Sequence, residues 1–260
     1  MNSLKQLTTL TNRIIKQNFT NADTIITVIL MPVFMLLFFV YVMGGNIVTG
    51  GTAPSTAEYL KYSMPGFLLL TMATGSAYTA LRINMDQTSG FLNRLHSLPI
   101  KRWVILGSHV VASVIFMLLA EIAVLLVGML MGFRIDADLM SVLGFFGISI
   151  LFSFAITLLA IPFSLKAKSY ASAGGFSYIL MLLLFLSSAL MPTTGMAKPI
   201  QIFADHQPMT PIVNSARMLL NGIADPANNT MLISLSWLVG LVLVFGALSL
   251  YVYRVVFNKK

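Results

Sequence analysis

The chain has 260 residues, of which 57% are hydrophobic and only 9% charged, with a formal net charge of +8 and no cysteine. An ordinary soluble domain is roughly one quarter Asp, Glu, Lys and Arg, so a water-soluble fold of this size is excluded. The lack of cysteine excludes disulfides and thiolate metal sites. The basic residues are also too dispersed for a nucleic-acid surface, and we expect no nucleic-acid partner.

Six apolar runs are long enough to cross a bilayer. A helix that rises 1.5 Å per residue needs about 20 apolar residues to cross roughly 30 Å of hydrocarbon. The sequence therefore predicts an all-α integral membrane protein with six transmembrane helices. The predicted spans are residues 24–43, 62–81, 103–133, 139–165, 170–190 and 231–253.

The distribution of Lys and Arg orients these spans, because cytoplasmic connections carry an excess of both residues. When the six spans are drawn, 12 of the 16 basic residues fall on the side that holds both chain ends. We expect a multi-pass protein of the cytoplasmic (inner) membrane, with its N- and C-termini in the cytoplasm. The residues on that side are Lys5, Arg13, Lys16, Arg82, Arg94, Lys101, Arg102, Lys166, Lys168, Arg254, Lys259 and Lys260.

The segment before the first span has the pattern of an amphipathic helix. Apolar residues recur at helical spacing while cations occupy another face, which is typical of a helix that lies at the membrane interface. A frayed polar tail is the alternative. The apolar positions are Leu4, Leu7, Leu10, Ile14 and Ile15.

The connection between the second and third spans contains a second amphipathic pattern. Phe91, Leu92, Leu95 and Leu98 predict a short helix on the cytoplasmic side, which Pro99 ends because proline disfavours helix in the preceding residue. An amphipathic loop on the inner leaflet is the alternative.

The connection before the sixth span, residues 192–230, predicts two further short helices. Thr210 and Pro211 have the pattern of an N-cap and a first helical residue, and Gly222 can end that helix in a left-handed conformation. A shorter apolar piece covers 199–203. Both pieces are too short to span, so we expect external or re-entrant helices.

No enzyme signature is found in the sequence. It contains neither a G-x-x-x-x-G-K-[ST] phosphate loop nor an H-E-x-x-H zinc site, and its three histidines lie in separate regions. We expect a non-catalytic chain with no metal site and no cofactor of its own.

Glu121 is the only formally charged residue deep within a predicted span. A carboxylate near the bilayer centre costs about 3 kcal/mol on insertion scales, so it should face the bundle interior, a cavity or a hydrogen-bonding partner. Two interpretations stay open: a residue of a substrate pathway or gate, and a protonated or hydrogen-bonded structural group between helices.

Two stretches carry a resemblance to a known family. Residues 86–100 follow a pattern of a charged start, Gly, Leu, Arg, Leu and a closing Pro, and 207–222 follow a pattern of Pro, a short helix and Gly. With the predicted helices around them, the whole chain resembles the membrane subunit of a type-2 ABC exporter, the permease family that includes drug-resistance and antibiotic-export proteins. It departs from the family at Gln87, Thr88, Ser89 and Asn93, around which family members often carry acidic residues.

The resemblance implies one permease domain over 1–260, with an elbow helix at 1–23, a coupling helix at 86–98 and external or re-entrant helices at 192–230. It also implies separate ABC ATPase subunits that bind ATP and magnesium, and a second copy or a homologous permease in the bilayer. It assigns ATPase coupling to Gly90, Phe91, Leu92, Arg94, Leu95 and Pro99, and the external helices to Pro208, Pro211, Arg217 and Gly222.

The function implied is export of a hydrophobic or amphipathic compound, of drug or antibiotic type, driven by ATP hydrolysis on the partner. Three alternatives stay open. The first is a lipid or lipid-linked glycan exporter of the same wider family. The second is an ion-coupled transporter or channel, which would normally show more intramembrane polar residues or broken helices in two repeats. The third, an intramembrane enzyme, lacks an evident catalytic partner for Glu121.

Overall fold

The structure, a computed structural model, describes residues 3–47, 55–223 and 229–258. Every regular element within these ranges is a helix. Two π-helical turns, Ile26–Leu30 and Phe39–Met43, and one 3-10 turn, Thr193–Gly195, complete the set. The helices are α1 Ser3–Thr20, α2 Ala22–Ile25, α3 Met31–Phe38, α4 Thr56–Thr88, α5 Phe91–His96, α6 Arg102–Leu130, α7 Leu139–Lys166, α8 Tyr170–Ala173, α9 Phe176–Phe185, α10 Lys198–His206, α11 Met209–Asn221 and α12 Thr230–Asn258.

Four helical stretches of the described chain are long and apolar enough to cross a membrane. They are Ala22–Met43, which includes α2 and α3, then Arg102–Leu130, Leu139–Lys166 and Thr230–Phe257. They coincide with the first, third, fourth and sixth predicted spans. The chain is therefore a membrane protein with several apolar helices.

The second predicted span lies inside α4, which is the centre of the bundle. This helix has 33 residues, and 20 of them are buried because α6, α7, α9 and α11 pack against it. Close approach depends on small residues: a Cβ on Gly66 would overlap the Ala189 carbonyl. Its polar side chains, such as Ser63, Thr71 and Ser76, donate to carbonyls within α4 itself. Helices in lipid associate through this kind of close packing.

The fifth predicted span differs from the structure, which breaks it into two helices. A run over 170–190 forms α8, a turn at Gly174 and Gly175, then the ten-residue α9. Two adjacent glycines weaken a helix because the backbone loses more entropy there. The end of α9 is stabilised from outside, since the Gln207 amide donates to the carbonyls of Leu183 and Leu186.

The predicted helix at the N-terminus is present as α1, which packs along α6. Its buried face consists of Thr11, Ile14 and Asn18. At its far end, the ring of Phe19 meets Phe116 edge-on at 5.4 Å between centroids. The packed face is thus only partly the apolar stripe of the sequence pattern, and Leu4 from that stripe is exposed.

Both short helices expected before the sixth span are present, as α10 and α11. The predicted start of the second is two residues late, because α11 begins at Met209 and the Thr210 hydroxyl donates to the Ala204 carbonyl instead of capping the helix. Its end is as predicted, with Gly222 in the left-handed conformation at φ +62°. A Cβ there would also overlap the Asp136 carbonyl, so both the backbone conformation and the lack of space require glycine.

Candidate functional site

The turn between α4 and α5 is the first candidate site. Residue 86 was predicted to begin the short helix, but Asp86 lies in the last turns of α4, and α5 covers only Phe91–His96. Gly90 joins them at φ +73°, a left-handed conformation that favours glycine. A Cβ on Gly90 would meet nothing within 4 Å, so its backbone lies open at the surface of this chain.

The apolar face of α5 packs against its own chain. Leu92 is 3% exposed and Leu95 7% exposed, within a cluster that includes Ile83, Ile105 and Val252. The predicted role of both leucines as anchors for a partner does not fit this placement, because a docking residue must be exposed. An amphipathic pattern identifies an apolar face but cannot tell which surface covers it.

The opposite side of the segment is exposed. We call it the α5 surface; it consists of Asn93, Arg94, Ser97, Leu98 and Pro99. Leu98 is its large apolar residue, at 52% exposure. Beside it lies a largely polar cavity of about 430 Å³, lined in part by Asn93, Ser97 and Arg102. This surface has the mix of one apolar residue, a cation and polar groups that a transient protein contact uses.

An ion pair joins α1 to both helices of this turn. The guanidinium of Arg13 donates to both Asp86 oxygens, at 3.0 and 2.8 Å, and its carbon lies 3.8 Å from the centre of the Phe91 ring. Asp86 is buried, and the His109 ring nitrogen lies 3.6 Å from it. Two-point pairing of this kind is directional and strong, so α1, α4 and α5 are held in one arrangement.

The other end of α5 is tied to the last turns of α12. The His96 ring stacks on Phe257 at 4.3 Å between centroids, and its Nε2 lies 2.8 Å from the Tyr253 hydroxyl. Its Nδ1 lies 2.6 Å from the Leu92 carbonyl. A displacement of α5 would therefore reach α1 at one end and α12 at the other.

Glu121 lies between α6 and α7 with no exposed surface. One carboxyl oxygen accepts a hydrogen bond from the Ser149 hydroxyl at 2.8 Å, and the other has no partner among the described residues. A side chain with no exposed surface does not line an open pathway in this conformation. The placement favours the second interpretation of Glu121, a hydrogen-bonded group at a helix interface.

Arg217 links α11 to the rest of the bundle. Its Nε donates to the Tyr62 carbonyl at 2.9 Å, its terminal nitrogens donate to Asn214 and to the Ser188 carbonyl, and its carbon lies 3.8 Å from the Tyr62 ring centre. Pro208 precedes α11 and Pro211 lies in its first turn. The sequence singled out Arg217 but not its partners: Tyr62 lies on α4, Ser188 in the turn after α9, and Asn214 on α11 itself.

No group of three or more His, Asp or Glu side chains that could hold a metal ion occurs in the part of the chain that the structure describes.

Comparison with known proteins gives one family match and several relatives. The family model described as ABC-2 type transporter matches residues 5–221. The daunorubicin resistance ABC transporter permease protein of Streptomyces coeruleorubidus is 29% identical, over 88% of this chain and 79% of the relative. A probable doxorubicin resistance ABC transporter permease protein of Mycobacterium tuberculosis is 28% identical, over 90% of this chain and 83% of the relative.

A putative transport permease of Cyanophora paradoxa is 28% identical, over 83% of this chain and 74% of the relative.

Proposed function

Since the chain belongs to the ABC-2 type transporter family, we propose that it is the membrane subunit of an exporter for a hydrophobic or amphipathic, drug-like compound. The observation that carries the proposal is the similarity to two drug-resistance permeases over nearly nine tenths of the chain. The names of these relatives give resistance to a drug, daunorubicin in one and doxorubicin in the other. The energy comes from hydrolysis of magnesium-bound ATP on a separate ATPase subunit.

In the proposed topology the chain crosses the cytoplasmic (inner) membrane six times. Both chain ends lie in the cytoplasm. Four apolar helices support four of the crossings. The second crossing in chain order is α4, whose 33 residues reach about 50 Å, more than the bilayer requires. The fifth crossing in chain order would use α8, α9 and the turn that follows. In this arrangement α1 is the elbow helix and α10 and α11 are the external helices.

The α5 surface is the proposed ATPase contact, replacing the buried leucines of the sequence-based prediction. Leu98 provides apolar area, and Arg94 provides a cation for an acidic group of the partner. Movement would pass to α1 through Arg13 and to α12 through His96. A second copy or a homologous permease would complete the pathway across the membrane.

The test is ATP-driven transport of doxorubicin. The chain is reconstituted in vesicles with an ABC ATPase subunit that co-purifies with it, and fluorescence reports accumulation on the side away from the ATPase. Accumulation that needs ATP and magnesium, and that stops when the ATPase carries an inactivating Walker lysine substitution, is the expected result. Transport that does not require ATP but depends on an ion gradient would overturn the proposal in favour of a secondary transporter.

A further inference from the structure

A cavity of about 310 Å³ lies between the first apolar helix, α4 and the α8–α9 pair. Three tyrosines are among the residues that line it: Tyr78 from α4, Tyr170 from α8 and Tyr178 from α9. Thr27 and Ser177 add hydroxyl groups. Aromatic faces with a few polar groups are typical of a small-molecule site, and the volume suits a small organic ligand or one end of a larger ligand.

A carboxylate lies at the edge of this cavity. The Tyr78 hydroxyl donates to Asp23 Oδ2 at 2.9 Å, and Asp23 precedes Thr27 by one helical turn on the same face. Asp23 is exposed, and no Lys or Arg among the described residues forms an ion pair with it. The cavity therefore has a negative charge at its mouth.

Asp23 neither caps α2 nor pairs with Arg82. The start of α2 is already capped, because the Asn21 side chain accepts from the backbone nitrogens of Asp23 and Thr24. Arg82, one turn after Tyr78, donates to the Gln17 carbonyl and to Asn18. Its guanidinium contacts α1 and also lies near Tyr170, but no ion pair within the described residues joins it to Asp23, so the Asp23 carboxylate stays available to a ligand.

The geometry points to a binding site for the cationic group of an amphipathic ligand, with Asp23 as the counter-ion and the three tyrosines as the aromatic walls. Tyrosine faces attract ammonium groups, and an adjacent carboxylate adds direct charge attraction. In the proposed topology the site lies at the inner leaflet, where an amphipathic cation from the cytoplasm accumulates. The inference rests on the proposed export function for its role as a substrate site.

Two sources could supply this chemistry: a free lipophilic cation, or the ammonium headgroup of an ethanolamine or choline phospholipid. The shared chemistry is a lipophilic cation, a positive charge carried on or beside an apolar body. Both sources are tested by equilibrium dialysis on the full-length chain in an uncharged maltoside detergent. The probes are tetraphenylphosphonium and its uncharged relative triphenylphosphine oxide.

The decisive variant is Asp23→Asn, which keeps an acceptor for Tyr78 but removes the charge. We expect affinity for tetraphenylphosphonium to fall by about tenfold, with triphenylphosphine oxide unaffected. Asp23→Glu should retain binding within about threefold, since the charge is kept. Asp205→Asn, an exposed carboxylate on α10, is the matched control and should bind as the native chain does.

Equal tetraphenylphosphonium affinity in the native chain and Asp23→Asn would overturn the site, and so would an equal loss for both probes. Adding ethanolamine phospholipid then separates the sources. Competition in the native chain that disappears in Asp23→Asn supports a headgroup ligand, and absence of competition supports a free cation. The assay needs no ATPase, so its failure would leave the doxorubicin transport test standing.

Discussion

Arg13 is the residue on which three helices of the α4–α5 junction converge. It pairs with both oxygens of a buried carboxylate and covers the ring of Phe91. Removing one partner of such a pair leaves the other charge buried without compensation, which is costly in a low-dielectric site. The junction is therefore rigid as long as the pair is intact.

We predict that Arg13→Ala lowers the stability of the purified chain by about 2 kcal/mol, because Asp86 loses its charged partner. The measurement is the thermal unfolding midpoint in detergent. Lys16→Ala, on the same helix and exposed, is the matched control and should leave the midpoint nearly unchanged. If both variants unfold at the native midpoint, the pair contributes nothing to the junction.

Glu121 gives a second prediction at the scale of one residue. If the carboxyl serves only the contact with Ser149, Glu121→Gln keeps an acceptor for that hydroxyl and should preserve both folding and transport. The measurement is the transport rate for several substrates of different charge, together with the yield of folded protein. A changed substrate preference with normal yield would return Glu121 to the transport pathway.

At the scale of helices, α5 is tied to its own chain on one face and exposed on the other. We predict that Leu92→Ala destabilises the chain by about 2–4 kcal/mol, since it leaves a cavity among buried side chains. Leu98→Ala, the same change on the α5 surface, should leave the stability of the chain unchanged but weaken its co-purification with the ATPase. The reverse pattern would place the contact on the face that this structure buries.

Close packing between α4 and the turn after α9 leads to a fourth prediction. Gly66→Ala should lower the unfolding midpoint, because the added Cβ would overlap the Ala189 carbonyl, and backbone there must shift at a cost of about 1–3 kcal/mol. Gly147→Ala is the matched control, since a Cβ at Gly147 meets nothing within 4 Å and alanine favours helix. A native midpoint for Gly66→Ala would mean that this packing is loose.

Sequence patterns predicted helices better than they predicted contacts. Gly222 marks the end of α11 through a local backbone preference, so this end could be placed in advance, whereas α5 ends at His96, two residues before the predicted end at 98. Arg13 and Asp86 are 73 positions apart, and nothing local to either residue indicates the pair. The burial of Leu92 is equally non-local, because it depends on how α6, α7 and α12 converge beneath α5.

At the scale of the whole molecule, the helices form a bundle around α4, with short helices at both ends. The α4–α5 junction lies at one end of α4, and the contacts of Arg217 with Tyr62 lie near the other. A coupling mechanism across the membrane requires these two ends to face opposite sides. Tyr62 and Arg217 can meet on one side of the membrane only if an even number of crossings separates them along the chain, and the broken α8–α9 segment decides this number.

Residues 168 and 205 flank that segment, so their sidedness determines whether it crosses the membrane. Both Lys168 and Asp205 are exposed, and the chain contains no cysteine, so a single Lys168→Cys or Asp205→Cys variant reports without background. A crossing predicts that an impermeant thiol reagent labels position 205 in intact cells and position 168 only after permeabilisation. The α9 helix alone reaches about 15 Å, half of the hydrocarbon, so the crossing needs α8 and the turn at 186–190 as well. Ala216→Cys, at a buried position, should stay unlabelled in both conditions. Labelling of 168 and 205 from the same side would reduce the count to five crossings and place the C-terminus outside.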